Sequence, residues 1–128
     1  MKEETKRILK DFEKAVTNLG EGIEKTVDDL DIDGAIKRFE LSYELAWKLI
    51  KTYLAETGIF CKNPRDCFKS AKANGLIHDE MGWLRMIEDR NLLVHTYTLE
   101  LLREIFEKVK AAHYALLRNL LEKVKEKE

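Results

Sequence analysis

Residues 34–56 read GAIKRFELSYELAWKLIKTYLAE, and apolar side chains recur in this stretch at the spacing of an α-helix. One apolar stripe consists of Ile36, Phe39, Tyr43, Trp47, Ile50 and Leu54. A second stripe lies roughly on the opposite side of the helix and consists of Leu41, Leu45 and Leu49. Two opposed stripes need two burial partners. The stretch therefore predicts a central helix of a bundle whose other face contacts a neighbouring helix or a second subunit, and we expect a homodimer.

Helical patterns also flank this stretch. Asp31 or Asp33 is expected to cap its N-terminus, and Gly58 to end it. The other predicted helices are one over 2–19, a short one from Asn63-Pro64 to Asn74-Gly75, one that begins near His78 or Asp79, and one over 99–125. No segment alternates with period two. The sequence therefore predicts an all-α fold, an antiparallel four-helix bundle with an additional short helix, as a single domain over residues 1–128.

The composition is typical of a globular helical protein. Of the 128 residues, 37% are charged and 45% are hydrophobic, which excludes a membrane protein and a disordered chain. No apolar run approaches the roughly 18 residues of a membrane span. No apolar segment follows the charged N-terminal residues, so we expect no signal peptide and a cytoplasmic protein. The net charge of −1 indicates no overall basic surface for nucleic acid.

Two patterns resemble metal sites, and neither is complete. Cys61 and Cys67 do not form a CxxC pair and have no second pair, so we expect them to be reduced and without function. Residues 29–40, DLDIDGAIKRFE, match the EF-hand pattern D-x-D-x-D-G-x5-E. The match stands alone, and Ile36 and Phe39 of the apolar stripe fall inside it. A cluster of helix-capping aspartates gives the same letters, so we expect neither a metal site nor a cofactor.

Residues 89–97, DRNLLVHTY, carry four side chains that can act on a phosphate group. If the segment is helical, Arg90 and Tyr97 lie about 20° apart around the axis, and Asn91 and His95 about 40° apart. A histidine of ordinary pKa, about 6.5, can serve as base or acid near neutral pH. An arginine can hold phosphate oxygens in bidentate fashion. A polar stripe at a helix interface would give the same pattern.

Three ordered motifs resemble those of the nucleotidyltransferase substrate-binding protein family, which belongs to the HEPN superfamily. Arg90-x4-His95-x-Tyr97 is similar to the R-x4-6-H signature of HEPN domains. Residues 38–48 resemble the family's second-helix motif, and residues 63–77 resemble its short middle helix. The resemblance covers nearly the whole chain. It implies an all-α bundle that dimerises, and a partner, a separate minimal nucleotidyltransferase.

The resemblance also implies functions. Related HEPN proteins in such pairs act as RNase toxins, with the nucleotidyltransferase as antitoxin, and in some of them the tyrosine that matches Tyr97 accepts AMP. Metal-independent RNA cleavage by the 2′-OH needs a base, an acid and positive charge on the phosphorane. His95 and Arg90 can supply these as the catalytic pair, and a two-fold axis would bring a second histidine. Asn91 can orient His95 or bind a phosphate.

Three hypotheses follow for the function. The favoured one is the substrate-binding, toxin-like subunit of a nucleotidyltransferase pair, which binds nucleotide or RNA phosphates through Arg90, Asn91 and His95. The second is a metal-independent endoribonuclease toxin that uses Arg90 and His95 and is restrained by its partner. The third is a non-catalytic helical adaptor for the nucleotidyltransferase.

The remaining polar and aromatic side chains have structural interpretations. His113 lies in the apolar stripe of the last helix, so we expect a core histidine with a backbone partner. His78 is expected at the surface. The aromatic residues at helical spacing are expected mainly in the core: Phe39, Tyr43, Trp47 and Trp83. Ion pairs on a solvated face are expected among Glu40, Glu44, Lys48 and Lys51.

Overall fold

The computed structural model describes all residues, 1–128, and it contains helices but no strands. The helices are α1 (Glu3–Glu24), α2 (Asp29–Glu56), α3 (Pro64–Ala73), α4 (Glu80–His95), α5 (Leu99–Lys108) and α6 (Tyr114–Lys125). A π-helical turn, Val109–His113, joins α5 to α6, so that the two form one long C-terminal helix. Four long helices and the short α3 thus form an all-α bundle, which confirms the predicted fold class.

Helix α2 is the central element, because it packs against α1, α3, α5 and α6. Thirty buried residues form one hydrophobic core, and they come from all the helices and from the connections on either side of α3. The first apolar stripe of α2 is buried in this core except for Trp47, which is half-buried. The second stripe is divided: Leu49 is buried, Leu45 is half-buried and Leu41 is 55% exposed. The core therefore accounts for the apolar character of the first stripe of α2, but it covers the second stripe only in part.

Two helix boundaries differ from the prediction. Helix α1 continues through Gly20 to Glu24, because this glycine allows close approach of the Tyr114 side chain and does not end the helix. Helix α2 begins at Asp29, one turn earlier than predicted. Its cap is Asp28, whose carboxylate accepts from the backbone N–H of Asp31 at 2.9 Å, and so neither Asp31 nor Asp33 is the cap.

Because α2 begins early, residues 29–40 are helical and do not form a calcium-binding loop. The three aspartates in this segment, Asp29, Asp31 and Asp33, have partners within the protein. Asp29 forms a two-pronged ion pair with Arg103, with distances of 3.1 and 2.8 Å. Asp31 accepts from the backbone N–H of Val27 at 3.1 Å. The motif match thus reflects a capped and tethered helix N-terminus.

The short helix and its neighbour have the predicted boundaries. Asn63 caps α3 and Pro64 occupies its first turn. Asp79 caps α4. Gly58 and Gly75 follow α2 and α3 with φ of 85° and 76°, a backbone conformation that glycine adopts without a steric penalty. None of the helices combines the length and the apolar character needed to cross a bilayer.

The expectation of reduced cysteines is wrong. Cys61 and Cys67 form a disulfide, and both residues are buried. The bond joins the connection after α2 to the first turn of α3 and encloses residues 62–66. The five-residue separation excluded a CxxC site correctly, but it carries no information on whether the folded backbone brings the two sulfur atoms together.

Candidate functional site

Consecutive residues of helix α4 lie in opposite environments. Asp89 is buried and faces the core, whereas Arg90 is half-buried and Asn91 is exposed. His95 is the last residue of the helix and is also exposed. It lies one turn beyond Asn91, about 6 Å along the helix axis. The burial of apolar residues on the other side of α4 therefore turns these polar side chains outward; the buried ones are Trp83, Met86, Ile87 and Leu93.

Arg90 is held by groups of α2. Its Nη2 atom lies 3.0 Å from Oε1 of Glu44, and its guanidinium lies 5.8 Å from the centre of the Tyr43 ring. Burial raises the pKa of Tyr43 to about 12, and the nearby charge of Arg90 opposes that rise. The Nε atom of Arg90 is buried without a hydrogen-bond partner. Arg90 thus has a fixed position and an unused donor.

The second carboxylate oxygen of Glu44 accepts from the indole N–H of Trp47 at 3.1 Å. Glu44 therefore connects Trp47 to Arg90. The prediction that Glu44 forms a solvated pair with Lys48 is wrong, because Arg90 on the neighbouring helix is its ion-pair partner. The carboxylate has a structural role between α2 and α4.

These residues border a cavity of about 450 Å³, within the size range of small-molecule sites. Three elements contribute to its lining: α2, the start of α3, and α4. The lining residues are Tyr43, Glu44, Trp47, Asn63, Pro64, Arg65, Ile87, Arg90 and Asn91. Sequence analysis identified Arg90 and Asn91 as site residues but missed Glu44, Trp47 and Arg65. The motifs at 38–48 and 63–77 were the available signal for these three.

Tyr97 lies outside this cavity, and the prediction that it shares a helical face with Arg90 is wrong. Helix α4 ends at His95, and Thr96 is extended. The Tyr97 hydroxyl donates to Oδ1 of Asp33 at 2.6 Å, and Nζ of Lys37 lies 4.4 Å from its ring centre. Burial, and then the hydrogen bond to Asp33, raise the pKa of Tyr97. The structure therefore attaches Tyr97 to the start of α2.

A buried histidine–carboxylate pair lies beneath the site. Nε2 of His113 is 2.6 Å from Oδ2 of Asp89, and Nζ of Lys108 is 3.3 Å from the other oxygen. Phe39 stacks on the imidazole with a centroid distance of 5.5 Å. The expected backbone partner of His113 is thus replaced by a carboxylate. This pair joins α4 to the π-helical turn, and its α4 member, Asp89, immediately precedes Arg90. The contact therefore fixes the position of α4 along the bundle axis.

The carboxyl pKa of Asp89 is lowered despite its burial. Burial would raise this pKa, but the hydrogen bonds and positive charges of His113 and Lys108 outweigh that effect. Because the folded-state pKa lies below the unfolded value of about 3.9, the stabilisation is complete above that value and is lost as the pH falls through the folded-state pKa.

Asp89→Asn is therefore expected to lower the free energy of unfolding by about 3 kcal/mol at pH 7, and by less below pH ~4. Urea unfolding of both proteins between pH 7 and pH 3 measures the difference. A difference that stays constant over this range would contradict the assignment of the charge to Asp89.

The site residues are polar and cationic, and they do not form a metal centre. No group of three or more His, Cys, Asp or Glu side chains is arranged to hold a metal ion. Arg90 and Arg65 can bind phosphate oxygens, the amides of Asn63 and Asn91 can donate or accept, and Trp47 offers an aromatic surface. The arrangement is suited to an anionic ligand with a planar group.

Comparisons with known proteins identify the family of the chain. The family described as "nucleotidyltransferase substrate binding protein like" matches residues 7–126. A curated relative from Haemophilus influenzae, named probable ribonuclease HepT, is 32% identical over 88 residues, which are 65% of this chain. The matched part spans 60% of that relative's length.

Two solved structures share the fold. A crystal structure from Thermus thermophilus has a TM-score of 0.79 and 33% identity, and the match covers 87% of this chain and 96% of that one. A Haemophilus influenzae structure, described as the fold of a substrate-binding domain of a nucleotidyltransferase, has a TM-score of 0.70 and 24% identity, with 94% and 96% covered. Since the family match extends over nearly the whole chain, the protein belongs to the nucleotidyltransferase substrate-binding-protein-like family.

Proposed function

We propose that this protein is the substrate-binding, toxin-like subunit of a two-component nucleotidyltransferase pair, and that it binds nucleotide or RNA phosphates through Arg90, Asn91 and His95. The observation that carries the proposal is the position of Arg90, whose buried Nε has no partner and whose guanidinium borders a cavity of about 450 Å³. Asn91 borders the same cavity, and His95 follows one turn later on the exposed end of α4.

The partner in this proposal is a separate minimal nucleotidyltransferase. The family's description and that of the related Haemophilus influenzae structure support such a partner. We further propose a homodimer in which the ends of two α4 helices meet. Exposed apolar side chains lie near His95 in the sequence, and burying them would favour that contact: Leu92, Val94 and Leu99.

A metal-independent endoribonuclease is the second candidate function, and the relative named probable ribonuclease HepT favours it. In this reaction the RNA 2′-OH attacks the adjacent phosphorus, and the bond from phosphorus to the 5′-oxygen breaks. One His95 takes the hydroxyl proton, and the His95 of a second protomer gives a proton to the leaving oxygen. Arg90 stabilises the charge on the phosphorane. A non-catalytic adaptor for the nucleotidyltransferase is the third candidate.

The same proposal assigns Tyr97 as the acceptor of AMP from the partner. Its exposed ring and its hydrogen bond to the carboxylate of Asp33 support this role, because Asp33 can accept the phenolic proton as the oxygen attacks. Tyr97 is 44% exposed and lies just beyond the end of α4, where a second protein can reach it.

Binding of a labelled single-stranded RNA in EDTA tests the proposal, with fluorescence polarisation as the readout. Arg90→Ala is expected to weaken binding by at least about tenfold, because a charge-assisted contact to phosphate is lost. Arg85→Ala, an exposed arginine of the same helix, is the matched control and is expected to bind normally. Equal binding by wild type and Arg90→Ala would overturn the proposal.

The same mixtures separate the candidate functions. Cleavage of the RNA by wild type but not by His95→Ala selects the endoribonuclease. Binding without cleavage selects the substrate-binding subunit. If Arg90→Ala changes neither RNA binding nor the complex with the nucleotidyltransferase, the result selects the non-catalytic adaptor.

A further inference from the structure

We infer that the cavity between α2, α3 and α4 is a mononucleotide site in which the base stacks on Trp47 and the phosphate binds Arg65 and Arg90. This inference rests on the proposed function and deepens it, because it names the ligand class and adds two residues, Trp47 and Arg65. Neither residue belongs to the Arg90–Asn91–His95 group.

The aromatic wall of the cavity is held in a fixed orientation. Trp47 is half-buried, and its indole N–H donates to Glu44. Because Glu44 is itself paired with Arg90, the ring, the carboxylate and the guanidinium form a connected set. Trp83 contrasts with it, since Trp83 is only 1% exposed and packs on Phe68 in the core. Trp47 is thus the tryptophan that a ligand can reach, and stacking on an aromatic ring suits any base.

The charges at the cavity favour an anion. Arg65 is exposed and makes no ion pair, and Arg90 pairs with a single carboxylate, that of Glu44. Lys51 places its Nζ 5.7 Å from the Trp47 ring centre. Two guanidiniums and one carboxylate therefore line the cavity, which leaves net positive charge for a phosphate.

The amide groups beside the charges complete the fit to a nucleotide. Asn63 and Asn91 both line the cavity. The Asn63 oxygen caps α3, so its amide N–H groups remain for a ligand, whereas the Asn91 amide can both donate to a base edge and accept from it. The other large cavities lack this combination. One, near Arg38, contains no aromatic side chain and includes the carboxylate of Asp31. Another, beside Leu41 and Leu45, has no arginine.

Tryptophan fluorescence of the full-length protein provides the test, since the chain has two tryptophans and Trp83 is buried. The probes are AMP, GMP, CMP and UMP, with adenosine and inorganic phosphate as part-ligands. We expect the nucleotides to quench the emission, and adenosine and phosphate to bind at least about tenfold more weakly, because each makes only part of the contacts. Trp47→Phe should remove the quenching, while a Trp83→Phe protein should retain it.

Calorimetry with the same probes shows which residues bind the base of the nucleotide and which bind its phosphate. Trp47→Leu is expected to weaken nucleotide binding about tenfold, as base stacking contributes in this range. It is expected to weaken phosphate binding by a smaller factor, because Glu44 loses its Trp47 donor but still pairs with Arg90. Arg65→Ala is expected to weaken both, and Arg85→Ala neither. Circular dichroism melting confirms that each variant is folded.

The outcomes separate this inference from the proposed function. If RNA binding requires Arg90 but no mononucleotide binds, and Trp47→Leu and Arg65→Ala bind RNA normally, the pocket inference is overturned and the proposed function stands. If phosphate alone binds as tightly as the nucleotides, the base site is rejected. If neither RNA nor any mononucleotide binds, both proposals fail.

Discussion

His113→Ala is expected to lower the free energy of unfolding by about 4 kcal/mol at pH 7, a large share of the stability of an ordinary domain. The substitution leaves the buried carboxylate of Asp89 with Lys108 as its remaining partner, and the Lys108 side chain is about half exposed. It also removes the ring that stacks on Phe39 and leaves a void between α4 and the C-terminal helix. Urea unfolding followed by circular dichroism measures the loss.

A double-mutant cycle separates the energy of the Asp89–His113 contact from the cost of the void that His113→Ala leaves. Because Asp89→Ala removes the buried charge that His113→Ala leaves with Lys108 alone, the double variant is expected to be more stable than the sum of the two single losses predicts. His78→Ala is the matched control, since His78 is exposed, and it should change stability by less than about 0.5 kcal/mol. Strictly additive losses at 89 and 113 would show that the contact contributes nothing.

Tyr97→Phe is expected to abolish the incorporation of labelled AMP when the protein is incubated with its nucleotidyltransferase partner and ATP. In the proposed step the phenolic oxygen forms a bond to the α-phosphorus, the bond to pyrophosphate breaks, and the proton passes to Asp33. The raised pKa keeps the Tyr97 phenol protonated at neutral pH, so the attack requires a proton acceptor. Asp33 is in place, 2.6 Å from the hydroxyl.

Two further variants sharpen this experiment. Asp33→Asn retains a hydrogen-bond acceptor but cannot act as the base, and it should slow incorporation by about 100-fold. Tyr53→Phe, at a half-buried position of α2, is the matched control and should accept label at the wild-type rate because Tyr97 is intact. Label that persists in Tyr97→Phe would exclude Tyr97 as the acceptor.

The sequence was most informative where local chemistry sets the structure. Asn63 before Pro64 and the aspartate at 79 are local capping signals, and the structure confirms them as helix starts. The helix predicted over 2–19 instead continues through Gly20 to Glu24, because the reason for a glycine there is the Tyr114 side chain, which is distant in sequence. Helix α4 likewise ends before Tyr97, whose hydroxyl bonds to Asp33 of α2, a residue distant in sequence.

The residues of the candidate site also divide into those that a local segment identifies and those that depend on contacts between helices. Arg90, Asn91 and His95 could be named from one short segment. The contacts of Glu44 with Arg90, and the position of Arg65 at the same cavity, arise from the packing of three helices, and no spacing within a single segment encodes them. The same holds for His113, whose carboxylate partner is 24 residues away, and for the disulfide.

The π-helical turn has a consequence for insertions and deletions. The backbone N–H of Tyr114 bonds to the carbonyl of Val109, five residues back, so the turn encloses one residue more than an α-helical turn does. A chain that lost Ala111 or Ala112 could close an ordinary α-turn here and keep the apolar faces on either side in register. A deletion elsewhere in this helix would rotate all later side chains by about 100°. The long C-terminal helix thus has one position at which its length, and not only its side chains, can change while the core is retained.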